Sequence, residues 1–138
     1  MVKKNKVAGG HHNTVDSAYN ILKAGGNAFD AAIAGVFSSM SCEYLYTGAA
    51  SGGAMLVKKN DSPPKIIDFF VETPVIDSLK VKDFKTIHAD FGDTKQEFNI
   101  GVGSVGIPGT LPGLIEIHKN YGTLPFSVLV EQAIDLAK

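Results

Sequence analysis

The chain has 138 residues, of which 44% are hydrophobic and 20% charged, and its formal net charge is −1. This composition is that of one globular domain or part of one, and nothing within 1–138 marks an internal boundary. It excludes a general role in binding nucleic acid or an anionic membrane, because both roles need a basic surface.

An apolar stripe with helical spacing predicts a first helix over Thr14–Ala24, preceded by a short strand at Val7-Ala8. Asn13 or Thr14 would cap this helix, because both residue types accept hydrogen bonds from the first turn. The stripe that we expect to face inward consists of Val15, Ala18, Tyr19 and Leu22.

The stretch Gly25–Ala32 predicts the end of that helix and the start of a second one over Ala28–Met40. Gly25 or Gly26 would supply the left-handed backbone that closes the first helix. Asn27 is a good N-cap, and a carboxylate at Asp30 suits the positive end of the helix. Small residues line this second helix, so another backbone could approach it closely; they are Ala28, Ala31, Ala32, Ala34 and Gly35.

A β-hairpin is predicted next, with strands at Ala54–Val57 and Lys65–Val71 joined by the turn-forming segment Asn60–Pro64. Residues 75–100 are charged and weakly periodic, and predict one short helix near Ser78–Phe84 within a loop.

Two further helices are predicted at the end of the chain. Thr110 would cap the first, whose inward face would contain Leu111, Leu114, Ile115 and His118, and Gly122 would end it. Pro125 would start the second, which is still in register at Lys138 and has no C-cap residue. We therefore expect the chain to be part of a longer domain.

Several segments allow two interpretations. Gly101–Gly106 matches the dinucleotide pattern G-x-G-x-x-G, but Pro108 follows where a helix should run, which favours a turn. His11-His12 could bind a metal ion, although neighbouring extended residues point apart and a structural role is favoured. The Gly48–Gly53 loop could cradle an anion or simply lead into a strand. Cys42 has no partner for a disulfide, which favours a buried thiol in a reducing compartment.

Together these segments resemble the opening part of the gamma-glutamyltransferase family, which belongs to the N-terminal-nucleophile hydrolases. Ile21–Ala32 is similar to the family's helix, Gly-Gly-Asn-Ala turn and second helix. Glu43 and Gly48–Gly53, followed by Met55-Leu56, are similar to its Gly-rich loop. His11 stands where the family has the His of its opening His-Pro segment. The later matching blocks are Gly106–Gly109, Gly113-Leu114, Tyr121–Pro125 and Ala133–Ala137.

The resemblance implies an α+β fold that is part of an αββα N-terminal-nucleophile hydrolase sandwich, a helical layer plus a β-hairpin, and incomplete. It implies a precursor that cleaves itself, and a new N-terminal Thr whose hydroxyl attacks a γ-glutamyl amide with its own α-amine as base. That Thr would lie beyond Lys138, so no catalytic residue is assigned here, and we expect the isolated chain to be inactive.

The resemblance implies no cofactor and no metal ion. The expected partners are the small subunit or C-terminal remainder of the precursor and a small-molecule γ-glutamyl or other acyl amide, with no nucleic acid and no membrane. No apolar signal segment follows Lys3–Lys6, so we expect a cytoplasmic protein.

One departure from the family pattern concerns the substrate. Family members that act on γ-glutamyl compounds typically carry an Asp-aromatic-Arg-Glu-Thr segment whose Arg grips the substrate α-carboxylate. Here the segment is Asp68–Pro74, with Phe70-Val71 where the Arg is expected and one residue inserted; all 13 basic residues of the chain are lysines. We assign substrate binding to Phe70, Glu72 and Thr73, and expect either a different acyl group or a cation recruited from elsewhere.

Two alternatives to this enzyme remain open on the sequence. The first is a non-catalytic interaction or regulatory remnant of the same fold. The second is a metal- or nucleotide-binding module.

Overall fold

The computed structural model describes residues 5–74 and 83–138, which form four α-helices and two antiparallel two-stranded sheets. In chain order the elements are α1 (His12–Lys23), α2 (Ala28–Cys42), β1 (Ala54–Val57), β2 (Lys65–Asp68), β3 (Lys85–Asp90), β4 (Lys95–Ile100), α3 (Thr110–Tyr121) and α4 (Phe126–Leu136). The predicted short helix near Ser78–Phe84 lies largely outside the described residues. No helix within the described ranges has the length and apolarity that crossing a membrane requires.

The junction between α1 and α2 has the geometry that its sequence predicts. Gly25 has a φ of +92°, in the left-handed region that closes a helix. The Asn27 side chain accepts from the backbone N–H groups of Phe29 and Asp30 at 2.8 and 3.0 Å. The Asp30 carboxylate accepts in turn from the Asn27 N–H at 3.0 Å, which completes a capping box at the start of α2.

The close approach of α1 and α2 is confirmed. A Cβ atom built on Gly35 would lie 3.5 Å from both the Ala18 Cβ and the Thr14 carbonyl oxygen, so the two helices touch at this point. The buried hydroxyls of Ser17 and Ser38 lie 2.6 Å apart and link the same two helices.

The core lies among the four helices, and the β1–β2 hairpin covers one side of it with Met55, Ile67 and Phe69. Leu56 and Ile66, which are paired across the hairpin, are 71% and 73% exposed on its other face. The core residues of the helices are Ala18, Ile21, Ala31, Ile33, Ala34, Leu114, Ile117 and Leu129.

The start of α1 differs from the prediction. Val7-Ala8 forms no strand, and the helix begins at His12. Its N-cap is His11, whose Nδ1 accepts from the Asn13 N–H at 3.1 Å, so neither Asn13 nor Thr14 has that role. An imidazole nitrogen can accept this hydrogen bond as an Asn or Thr oxygen does, but His is an uncommon cap and gave no signal.

The inward face of α1 is also rotated from the predicted stripe. Tyr19 is 42% exposed, and its ring lies under the Lys23 ammonium, 4.6 Å from it. Ser17 and Ile21 are buried in its place. Pairing of the two serine hydroxyls lets a polar residue occupy a position that the pattern reserves for an apolar one.

The prediction for residues 75–100 was wrong in missing a second hairpin. β3 and β4 pair over six residues each, and Gly92, with a φ of +88°, lies in the turn. Ile87 and Phe98 are paired on one face and are 43% and 40% exposed. The strands mix polar and apolar residues on a largely exposed hairpin, which hides the alternation of a half-buried strand.

The last two helices are confirmed, with corrections at their ends. Gly109, not Thr110, is the N-cap of α3, and Thr110 is buried in the first turn. Ile115, which was expected to face inward, is 41% exposed. α4 ends at Leu136 and does not continue in register to Lys138.

Candidate functional site

Three segments that are far apart in sequence meet at the end of β2. Phe69 continues the hairpin by pairing with Gly53 through two backbone hydrogen bonds of 3.0 and 3.3 Å. Glu72 pairs instead with Ile107, at 3.2 and 2.7 Å. The chain therefore changes its partner between Phe69 and Glu72, and these few residues lie between the Gly-rich loop and the approach to α3.

Ser51 joins the Gly-rich loop to the start of α3. Its carbonyl oxygen accepts from the N–H groups of Gly109 and Thr110 at 3.1 and 3.0 Å. Its hydroxyl donates to the Gly48 carbonyl at 2.6 Å and lies 2.9 Å from the Thr110 Oγ1. Since the Ser51 proton is engaged by Gly48, Thr110 is the donor to Ser51. The end of the loop is thus held against the start of α3.

Glycines make room for the segment that follows β2. A Cβ on Gly113 would lie 2.5 Å from the Phe69 Cβ and Cγ, and one on Gly52 would lie 2.8 Å from the Phe70 carbonyl carbon. A Cβ on Gly109 would collide with the Phe69 carbonyl oxygen. Side chains at these three positions would displace the segment, so its backbone path depends on glycine.

The turn at Asp68 explains why β2 ends there and not at Val71, as predicted. The Asp68 Oδ1 accepts from the Phe70 N–H at 2.9 Å, which is an Asx turn. This turn takes Phe70 out of the hairpin ladder and leaves its side chain 67% exposed.

An open cleft of about 490 Å³ lies beside this segment. Two of the three predicted substrate-binding residues, Phe70 and Glu72, line it together. Thr73 is exposed one residue further on and is not part of the lining. The other lining residues are Ile67, Asp68, Phe69, Ile107, Pro108, Gly109, Pro112, Gly113 and Glu116.

The sequence prediction missed the wall that the start of α3 contributes. Pro112 and Glu116 line the cleft, and the Glu72–Ile107 bridge holds the approach to α3 against the end of β2. The signal that could have found them is the block Gly106–Gly109, which matches the family and precedes the helix directly.

The other residues considered as candidate sites have roles in the fold. His11 caps α1 and His12 is exposed, and the described residues contain no group of three His, Cys, Asp or Glu side chains placed to hold a metal ion. Val102–Ser104 forms a short 3-10 turn and not a helix start, as the turn interpretation of Gly101–Gly106 requires. The half-buried Cys42 thiol donates to the Ser38 carbonyl at 3.2 Å.

Comparison with known proteins shows what the chain is related to. A profile described as Gamma-glutamyltranspeptidase matches residues 15–138. The chain is 37% identical to the glutathione hydrolase proenzyme of Pseudomonas aeruginosa over 123 residues, 88% of this chain and 21% of that protein. It is 32% identical to the acylase ACY 1 proenzyme of Pseudomonas sp. strain SE83 over 122 residues, 86% of this chain and 22% of that protein.

Solved structures agree. The gamma-glutamyltranspeptidase of Pseudomonas nitroreducens complexed with L-DON superimposes with a TM-score of 0.76 at 26% identity, covering 100% of this chain and 40% of that one. Such neighbours have the N-terminal-nucleophile hydrolase fold, which agrees with the α+β class described here. The chain belongs to the gamma-glutamyltranspeptidase family, so the family predicted from the sequence is confirmed. It spans about a fifth of the length of the curated relatives cited, whose names as proenzymes fit a precursor that is cleaved into subunits.

Proposed function

We propose that this chain is the first part of the large subunit of a gamma-glutamyltranspeptidase-like amide hydrolase or acyltransferase. The observation that supports this most directly is that two family-like blocks, Gly48–Gly53 and Gly106–Gly109, meet the segment after β2 beside one cleft. The loop before β1, the segment after β2 and the approach to α3 are held together there by backbone hydrogen bonds. A family relationship combined with a built cleft favours a site that binds a substrate.

Within the complete protein, the four helices would form one outer helical layer of an αββα sandwich. The β1–β2 hairpin would belong to the sheet beneath it. Two features of the hairpin support this arrangement: one face packs on the helical core, whereas Leu56 and Ile66 leave the opposite face apolar and exposed. An apolar face of this kind is typical of a sheet that packs on a second layer.

The proposed reaction is acyl transfer through an N-terminal Thr that lies in another part of the precursor. The Thr hydroxyl would attack the amide carbonyl, and its own α-amine would take the proton. The C–N bond would break, and the amine would leave with that proton. Water or an acceptor amine would then attack the ester and give up a proton to the α-amine; the ester C–O bond would break, the acyl product would leave, and that proton would pass to the Thr oxygen.

This chain would supply one wall of the acyl pocket. Phe70 would contact the acyl chain, because its ring is exposed in the cleft. Glu72 and the neighbouring Thr73 would place polar groups at the rim, where the Glu72–Ile107 bridge fixes the backbone.

The test uses the precursor that carries this segment. We expect mass spectrometry to find two subunits, the smaller with an N-terminal Thr, and we expect the mixture to hydrolyse acyl p-nitroanilides. A precursor in which that Thr is replaced by Ala should stay intact and inactive. The 138-residue chain alone should bring about no hydrolysis. A folded precursor that is neither cleaved nor active would contradict this proposal. That result would favour the alternative, a non-catalytic remnant of the fold.

A further inference from the structure

The charged side chains that line the cleft are all carboxylates. Asp68, Glu72 and Glu116 border it, and each is exposed. No lysine or histidine of the described residues lines the cleft, and the chain contains no arginine. A substrate carboxylate in the cleft would therefore meet like charges from the described residues and no cation among them.

The start of α3 does not offset this repulsion. A helix N-terminus can bind an anion through its first backbone N–H groups. Here the N–H groups of Gly109 and Thr110 both donate to the Ser51 carbonyl, and Pro112 has no N–H. Among the first four positions of the helix, only the Leu111 N–H is left. The N–H groups of the two residues before it already donate to protein.

The uncharged part of the lining is apolar. Phe70 is 67% exposed and Ile107 is 53% exposed, and Pro108 and Pro112 lie beside them. Contact between an apolar acyl chain and these residues would remove apolar surface of both the substrate and the protein from water, which favours binding.

The apolar wall is fixed in place. The Asp68 carboxylate accepts from the Phe70 N–H at 2.9 Å, and the Phe69 side chain packs directly against Gly113. Phe70 thus cannot exchange places with Phe69 without breaking the turn, and the cleft keeps an aromatic ring at its surface.

From these observations we propose that the cleft selects amides whose acyl group carries no carboxylate, with short apolar acyl chains as the preferred class. This inference rests on the proposed function, because the cleft must be the acyl pocket of the enzyme. It goes beyond that function by assigning Phe70 and Glu116 as residues that determine specificity.

The test compares four p-nitroanilides on the processed enzyme. Butanoyl, 4-aminobutanoyl, glutaryl and γ-glutamyl anilides share a chain and differ only in the presence of an amine and a carboxylate. We expect kcat/KM to be about tenfold or more higher for the two substrates without a carboxylate, the ratio that one repelled charge commonly produces.

Two variants test the residues themselves. Phe70→Arg should raise the glutaryl-to-butanoyl ratio of kcat/KM about tenfold, because it adds a cation to the cleft. Glu116→Gln, which changes no volume, should raise the same ratio by a smaller factor. Phe91→Arg is the matched control: Phe91 is 62% exposed in the β3–β4 turn, away from the cleft, and its replacement should leave the ratio unchanged.

The possible failures can be distinguished. An enzyme that is cleaved and active but prefers the glutaryl or γ-glutamyl anilide would overturn this inference and leave the proposed function in place. An equal response of the ratio to Phe70→Arg and Phe91→Arg would also overturn it. An uncleaved protein inactive on all four anilides would overturn both.

Discussion

Thr123 donates two hydrogen bonds to Asp30, a residue 93 positions earlier in the chain. The Thr123 Oγ1 lies 2.5 Å from the Asp30 Oδ2, and its backbone N lies 3.0 Å from Oδ1. The same carboxylate, which is fully buried, caps α2 through the Asn27 N–H. One side chain therefore joins the start of α2 to the loop between α3 and α4.

The first prediction concerns the removal of that charge. Asp30→Asn should lower the free energy of unfolding by about 2–4 kcal/mol, because hydrogen bonds to a charged acceptor are lost and a buried amide N–H₂ would face the Thr123 donors. Urea unfolding of the chain followed by circular dichroism measures this. Asp135→Asn, at an exposed position on α4, should change stability by less than about 0.5 kcal/mol. Equal midpoints for the two variants would contradict the prediction.

The second prediction concerns acid. Burial raises the pKa of Asp30, but hydrogen bonds from the Thr123 side chain and from the backbone of Asn27, Thr123 and Leu124 outweigh burial and lower the pKa below 3.8. A lowered native pKa means that the unfolded chain binds this proton more readily. The resulting stabilisation is present above about pH 3.8 and is lost as the pH falls through the native pKa.

The measurement is the unfolding free energy of the wild type and of Asp30→Asn as a function of pH. The difference between them should be constant near neutral pH and should shrink below about pH 4. A stability difference that grows on acidification would show that folding raises the Asp30 pKa, contrary to this prediction.

The third prediction separates the two glycines of the α1–α2 junction. A Cβ on Gly26 would lie 2.7 Å from the Ile21 Cγ2 and 2.9 Å from the Leu124 Cδ1, so Gly26→Val should abolish soluble folding. Gly25 has nothing within 4 Å of its Cβ position. Gly25→Ala should cost only the strain of a positive φ, about 1–2 kcal/mol. Soluble yield and thermal midpoint are the readouts, and an unchanged yield for Gly26→Val would refute the packing argument.

The fourth prediction concerns the backbone that supports the cleft. Gly113→Ala places a methyl group 2.5 Å from the Phe69 Cβ, and we expect it to lower stability by roughly 1–3 kcal/mol. Gly48→Ala is the control, because its Cβ would have no neighbour within 4 Å. Thermal unfolding of both variants checks this. Comparable midpoints for the two would mean that Phe69 moves aside at little cost.

Local signals were sufficient to predict much of the fold. Gly25, Asn27 and Asp30 act within a few residues of one another, so their roles could be read from spacing alone and are confirmed. The β1–β2 hairpin was predictable for the same reason, since turn-forming residues separate two apolar runs. Its register pairs Ala54 with Asp68.

Contacts between distant segments could not be predicted from the sequence. Thr123 carries no pattern that points to Asp30, and the loop that holds it is placed only when α3 and α4 pack on α2. The β3–β4 hairpin has a different cause: its strands have no buried face in the described chain, so the alternation that marks a strand is weak.

The candidate site, too, could be predicted only in part. Phe70 and Glu72 were assigned from the family resemblance, in which Phe70 stands where an Arg is expected, and both line the cleft. Whether they bind substrate stays a prediction. Glu116 was missed, because its place at the cleft depends on α3 reaching the end of β2.

The glycines around the segment after β2 have a consequence for how this family can diversify. The backbone of that segment is fixed by close contacts with Gly52, Gly109 and Gly113. The Phe70 side chain, in contrast, is exposed and does not pack into the core. A replacement at position 70 can therefore change what the cleft accepts while the scaffold keeps its shape. We expect new acyl preferences in related proteins to arise by exchange at this position, with the surrounding glycines retained.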